Sequence, residues 1–133
     1  MLTVKTNILA PLQKVWEAYN RPEHVVNWNF ASEDWHCPKS EIDFREGGEM
    51  KSTMAAKDGS FAFDFIATYD KISPYELVEY TIADGRKVIV TFEDEDGLVG
   101  VNVNFEKENM NSEELQISGW QAILDNFKKY VEA

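Results

Sequence analysis

Between residues 60 and 70 apolar and polar positions alternate with a period of two: Phe61, Phe63, Phe65, Ala67 and Tyr69 share one face, while Asp64, Thr68 and Asp70 fall on the other. This is the pattern of a half-buried strand. Leu2, Val4, Thr6 and Ile8 alternate likewise, as do Val88, Val90 and Phe92, and then Val99, Val101, Val103 and Phe105. Asp58-Gly59, Asp84-Gly85 and Asp96-Gly97 each stand between two such runs. Asp-Gly pairs tolerate positive φ, so they predict hairpins between antiparallel neighbours. Ser73-Pro74 marks a further corner. With residues 42–44, 48–56 and 77–82 added, the pattern predicts about seven strands in one antiparallel sheet.

The period changes to that of a helix at the C-terminal end, over residues 111–133. Ile117, Trp120, Ile123, Leu124, Phe127, Tyr130 and Val131 recur at the spacing that gathers them on one face. Asn111 with Glu114 three residues on reads as an N-cap with a capping-box carboxylate, and Lys128 and Lys129 complement the dipole in the last turns. Near the other end, Pro11 opens a short helix whose stripe is Leu12, Val15, Trp16 and Tyr19; a second begins near Pro22 and carries Val25, Val26 and Trp28. Residues 29–38 read as irregular, with Trp35, His36 and Cys37 in a loop over a cavity mouth. A long terminal helix laid across a curved antiparallel sheet leaves a cavity wherever facing side chains fail to interdigitate. Gly119, beside Trp120, is expected to let the helix or a ligand approach closely despite its helix cost.

The 133 residues, 44% hydrophobic, fit one domain spanning 1–133 with a single core. No run is long enough to cross a bilayer and none reads as a signal peptide, so a cytoplasmic protein is expected. The only cysteine, Cys37, leaves no internal disulfide and no Cys-x-x-Cys motif. With 24 acidic and 13 basic residues the net charge is −11, which repels nucleic acid and anionic membranes. The strand aromatics lack interleaved Arg and Lys, which weakens a base-stacking role further.

Candidate chemistry is sparse. His24 and the His36-Cys37 pair carry metal-ligating and thiol-activating groups, yet adjacent residues on extended backbone point to opposite sides, and no second Cys or closely spaced His pair accompanies them. Asp64 falls on the solvent face by alternation, and Asp43 and Arg45 read the same way. Of Glu79 and Tyr80 only one faces inward, and Tyr80 goes with Val78 and Ile82. There is no Gly-x-Ser-x-Gly elbow and no phosphate loop, since Gly47-Gly48 is only a pair at a turn. No catalytic group, metal site or cofactor is assigned.

Specific strings resemble a known family: Ala10-Pro11-Leu12-Gln13-Lys14-Val15-Trp16, then Pro22-Glu23-His24 with Trp28, Gly47-Gly48-Glu49-Met50, Asp58-Gly59, and the terminal Gly119-Trp120 helix. Their order is similar to that of the START-like, or SRPBCC, superfamily, and within it to the branch named after the activator of the heat-shock ATPase. The resemblance implies an α+β helix-grip fold: a curved antiparallel sheet of about seven strands wrapped around a long C-terminal helix, with two short helices after the first strand. It also implies a hydrophobic cavity under that helix and relatives that bind or transform lipids, polyketides and other apolar molecules. Three readings follow: noncatalytic binding of a small apolar molecule, a stand-alone chaperone-associated interaction domain, and a cyclase or dehydratase type of enzyme. For the first, the expected ligand-binding residues are Trp28, Trp35, Met50, Met54, Phe63, Phe65, Tyr80 and Trp120, with His36 at the mouth as the polar contact. The competing reading is that these aromatics simply fill the core.

Overall fold

The runs after the first pair in sequence as a meander, and the first pairs with the last. In the computed structural model, which describes residues 1–133, the strands are β1 (Leu2–Leu9), β2 (Trp35–Ile42), β3 (Glu49–Ala56), β4 (Ala62–Ser73), β5 (Leu77–Ile82), β6 (Lys87–Glu95) and β7 (Leu98–Phe105). They form one seven-stranded sheet in the order β1-β7-β6-β5-β4-β3-β2, antiparallel throughout. The helices are α1 (Leu12–Asn20) and α2 (Pro22–Val25) between β1 and β2, and α3 (Glu113–Glu132) at the end. The sheet is curled into a half-barrel, with the long helix held in its grip. No helix is long and apolar enough to cross a membrane.

Turn chemistry sets the register. At the β6–β7 corner Asp96 and Gly97 both have positive φ, 56° and 86°, the geometry of a two-residue hairpin whose twist matches that of its strands. The register that follows sets Val88, Val90 and Phe92 opposite Phe105, Val103 and Val101. These residues, with Val4 and Ile8 of β1, meet Leu124, Phe127 and Val131 of α3 in the core. Polar contacts then tie α3 to the β1 edge: Lys128 Nζ donates to the Asn7 carbonyl at 2.6 Å, Gln121 Nε2 to that of Lys5 at 3.1 Å, and the Leu9 N–H to Glu132 at 2.8 Å.

Three expectations are corrected. The cap of α3 is Ser112, whose Oγ accepts the Leu115 N–H at 3.1 Å; the Asn111 side chain donates to Glu108 instead, so the helix starts later than expected. At that end Ile117 is exposed and Gln116 takes the buried position, accepting from the Glu108 N–H and donating to the Glu108 and Asn111 carbonyls. Closing the 108–111 loop thus outweighs the apolar stripe in this first turn. Finally, Trp35, His36 and Cys37 lie in strand β2 and not in a loop. Pro38 cannot donate to a ladder, but β2 is an edge strand and its register with β3 shifts between His36 and Lys39. The irregularity absorbs the proline, and ladder bonds to β3 override the missing alternation.

Candidate functional site: a cavity between the sheet and the C-terminal helix

Toward β3, β4 and β5 the sheet and α3 part, enclosing a cavity of about 430 Å³. Of its 25 lining residues 17 are hydrophobic, so the space suits an apolar body steered by a few polar groups. The strands contribute by period two: Met50, Ser52 and Met54 from β3, Phe63, Phe65 and Tyr69 from β4, and Val78 and Tyr80 from β5. Trp28 supplies the wall behind α2 and Trp120 the roof.

Seven of the nine residues expected from the sequence therefore line the cavity: Trp28, Met50, Met54, Phe63, Phe65, Tyr80 and Trp120. The remaining two do not. On edge strand β2, Trp35 packs instead against Phe61 and Phe63, with ring centroids 6.1 and 6.2 Å away. His36 stands opposite Ala55; the inward residue here is its neighbour Cys37, which is buried. His36 is thus not among the lining residues. The aromatic run entering β4 also frays outward: Phe61, just before the strand, is 59% and Phe63 45% exposed.

Gly119 lines the open space, where an added Cβ would meet nothing within 4 Å. Close helix-to-sheet approach is therefore not what it permits; it leaves room. Trp120 stacks on Phe105, centroids 4.3 Å apart and planes 9° from parallel, which fixes its ring at the boundary between core and cavity. The Trp28 N–H donates to the Ala18 carbonyl at 2.9 Å, so this residue offers its ring only, held against Tyr19 and Phe127.

The polar part of the lining is Tyr19, Asn20, Asn29, Ser52, Tyr69, Arg86, Glu108, Asn111 and Gln116 beside Tyr80. Ser52 shares a 2.9 Å hydroxyl contact with Ser40. Asn20 donates its amide N–H to the Trp16 carbonyl at 2.9 Å, which turns its Oδ1 away from that carbonyl. Arg86 binds Asp84 at 2.8 Å through Nε. Burial pushes the phenols of Tyr19, Tyr69 and Tyr80 well above their ordinary value, so all three stay protonated. Ser52 and Tyr69 were legible, since they continue the alternations of Met50 and Met54 and of Phe63 and Phe65. Arg86, Glu108 and Asn111 stand in turns, where no period announces a direction.

The family described as "Activator of Hsp90 ATPase homolog 1-like protein" matches residues 9–132. Among solved structures, the AHSA1-like protein of Aeromonas hydrophila is 39% identical, with a TM-score of 0.90 over 98% of this chain and 92% of that one. A protein of Cytophaga hutchinsonii is 45% identical, with a TM-score of 0.85 over 98% and 90%. A Chromobacterium violaceum protein shares the fold at 23% identity, with a TM-score of 0.86 over 100% and 99%. No curated protein matches the chain. A helix-grip sheet with α3 in its grasp, together with a family match running nearly end to end, establishes that the chain belongs to the Activator of Hsp90 ATPase homolog 1-like family, within the START-like superfamily.

Proposed function

We propose that this domain binds a small apolar molecule in the cavity under α3 without transforming it. The observation that carries the reading is the cavity itself: about 430 Å³ of space walled mostly by hydrophobic side chains, of the size and character of small-molecule sites. Trp28, Met50, Met54, Phe63, Phe65, Tyr80 and Trp120 are its proposed contacts. The lining holds one carboxylate, Glu108, and no imidazole, which supports binding over a cyclase or dehydratase mechanism. A reducing, cytoplasmic setting suits Cys37, which is buried and unpaired.

Native mass spectrometry of the purified protein tests this. A copurified apolar compound is expected, retained by the wild type and lost from Gly119→Leu, whose side chain would occupy the space in front of the helix. A compound held equally by both proteins places its site elsewhere and defeats the reading.

A second reading, a chaperone-associated interaction domain, draws on the family's name and on the aromatic cluster of half-buried Trp35 with exposed Phe61 and Phe63, each 6.1 to 6.2 Å from the others. Exposed aromatic patches mark interaction surfaces. Binding of purified Hsp90 that is lost in Phe61→Ser, with ligand retention unchanged, would favour it over the first.

A further inference from the structure

The cavity contains hydroxyl donors that the protein does not use. Tyr69 of β4 and Tyr80 of β5 are register partners, 2% and 5% exposed, with ring centroids 6.4 Å apart and planes at 80°. Tyr19 enters the same space from the C-terminal part of α1. A buried O–H without an acceptor is costly, so such groups are nearly always paired. The Tyr80 and Tyr19 hydroxyls neighbour each other in this space without forming an ordinary hydrogen bond. The Tyr69 hydroxyl has no side-chain or backbone partner; only burial and the neighbouring Tyr19 act on it. None of the three oxygens is sealed in packing, so they open onto the cavity.

We infer that the ligand of this cavity is an apolar molecule with a neutral oxygen acceptor, a ketone, ester or quinone carbonyl, which receives the hydroxyl of Tyr69 beside the Tyr19–Tyr80 pair. This deepens the proposed binding function and rests on it. A carboxylate is the wrong head group here. The desolvation that disfavours the three phenolates acts equally on an incoming anion. The one cation of the lining, Arg86, is engaged with Asp84. It sits opposite Ile82 at the β5–β6 corner, two positions along β5 from Tyr80. A carbonyl needs no countercharge, and each donor it gains replaces a bond it had to water.

Fluorene and fluorenone have nearly the same shape and differ by one carbonyl oxygen, which makes them the test pair. Binding is measured by equilibrium dialysis, and located by the NMR shifts of the Met50 and Met54 methyl groups. Fluorenone should bind roughly three- to tenfold more tightly than fluorene, the worth of one or two neutral hydrogen bonds. Tyr69→Phe should abolish this preference without weakening fluorene, and Tyr80→Phe should reduce it. The infrared carbonyl stretch of bound fluorenone should lie below its frequency in hexane and return toward it in Tyr69→Phe. Fluorene carboxylate should bind more weakly than fluorenone at neutral pH. Equal affinity for fluorene and fluorenone, unmoved by either variant, or tighter binding of the carboxylate, overturns the inference while the binding function stands. If neither fluorene nor fluorenone shifts the Met50 and Met54 methyls, both fall together.

Discussion

The two halves of the interface between sheet and helix solve one packing problem in opposite ways. Where α3 crosses β1, β7 and β6, the helix presents Phe127 and Val131, and the strands answer with β-branched residues such as Ile8, Val88, Val90 and Val101, all essentially inaccessible. Where it faces β5, β4 and β3, it presents Gly119 and the edge of Trp120 to Ser52, Phe65 and Tyr69 across open space. Large side chains on one surface and compact branched ones on the other interdigitate to the density of a protein interior. A glycine on the helix and stiff rings on the strands cannot close the gap, because rings do not bend to fill it. The filled half supplies stability and the open half leaves the cavity.

Truncation should expose this division most sharply. Phe127→Ala should cost about 3 to 5 kcal/mol, the range for a large buried side chain in a core that cannot collapse. Phe65→Ala on the open half should cost about 1 to 2 kcal/mol, because the residue is only half-buried and borders existing space. Urea unfolding of both variants checks the difference; equal costs would mean that the cavity walls are as tightly packed as the core.

Trp120→Ala falls between the two. Its ring loses the stack on Phe105 but leaves a hole that joins the cavity, so a cost of about 2 to 3 kcal/mol is expected. A cost matching that of Phe127→Ala would show that Trp120 belongs to the filled half.

The phenols supply a pH test of the open half. Tyr69 has its folded pKa raised above the ordinary 10.0 by burial, and Tyr19 and Tyr80 are raised by the same cause. Above pH 10 the unfolded chain releases these protons first, so it binds fewer than the folded chain and stability falls as pH rises; below pH 10 the contribution is complete. Each such tyrosine contributes up to about 1.4 kcal/mol per pH unit to that fall. Denaturation midpoints between pH 9 and 11 should therefore decline less steeply in Tyr69→Phe than in the wild type. An unchanged slope would mean that the Tyr69 hydroxyl is solvated.

The smallest expected effect is that of Gly119→Ala. The methyl meets nothing within 4 Å, so the gain in helix propensity should stabilise the protein by up to ~1 kcal/mol. A loss of stability would show that α3 lies closer to the sheet at this point than the cavity allows.

Much of this architecture could be read from residue order alone. Alternation in β1, β4, β6 and β7 and the Asp-Gly corners depend only on neighbours along the chain, so strand number, antiparallel pairing and inward faces were legible before any long-range contact was known. The same period placed Met50, Met54, Phe63, Phe65 and Tyr80 on one surface, and these line the cavity. Trp35 and His36 were misplaced because the partner of β2 is chosen in space: pairing with β3 made a strand of a segment whose own pattern, with Pro38 inside it, denied one.

Local periodicity determined which side of each strand faces inward, since a side chain's face follows from its place in the pleat. Whether an inward residue meets another side chain or empty space depends on how far α3 stands from each strand. That distance is set by the sum of packing over the whole interface, with Phe127 and Val131 wedged against β1 and β7 at one end and Gln116 closing the 108–111 loop at the other. For the same reason Tyr19, Tyr69 and Tyr80 became neighbours only on folding: they come from a helix and two strands, and no spacing along the chain records that their hydroxyls share one cavity.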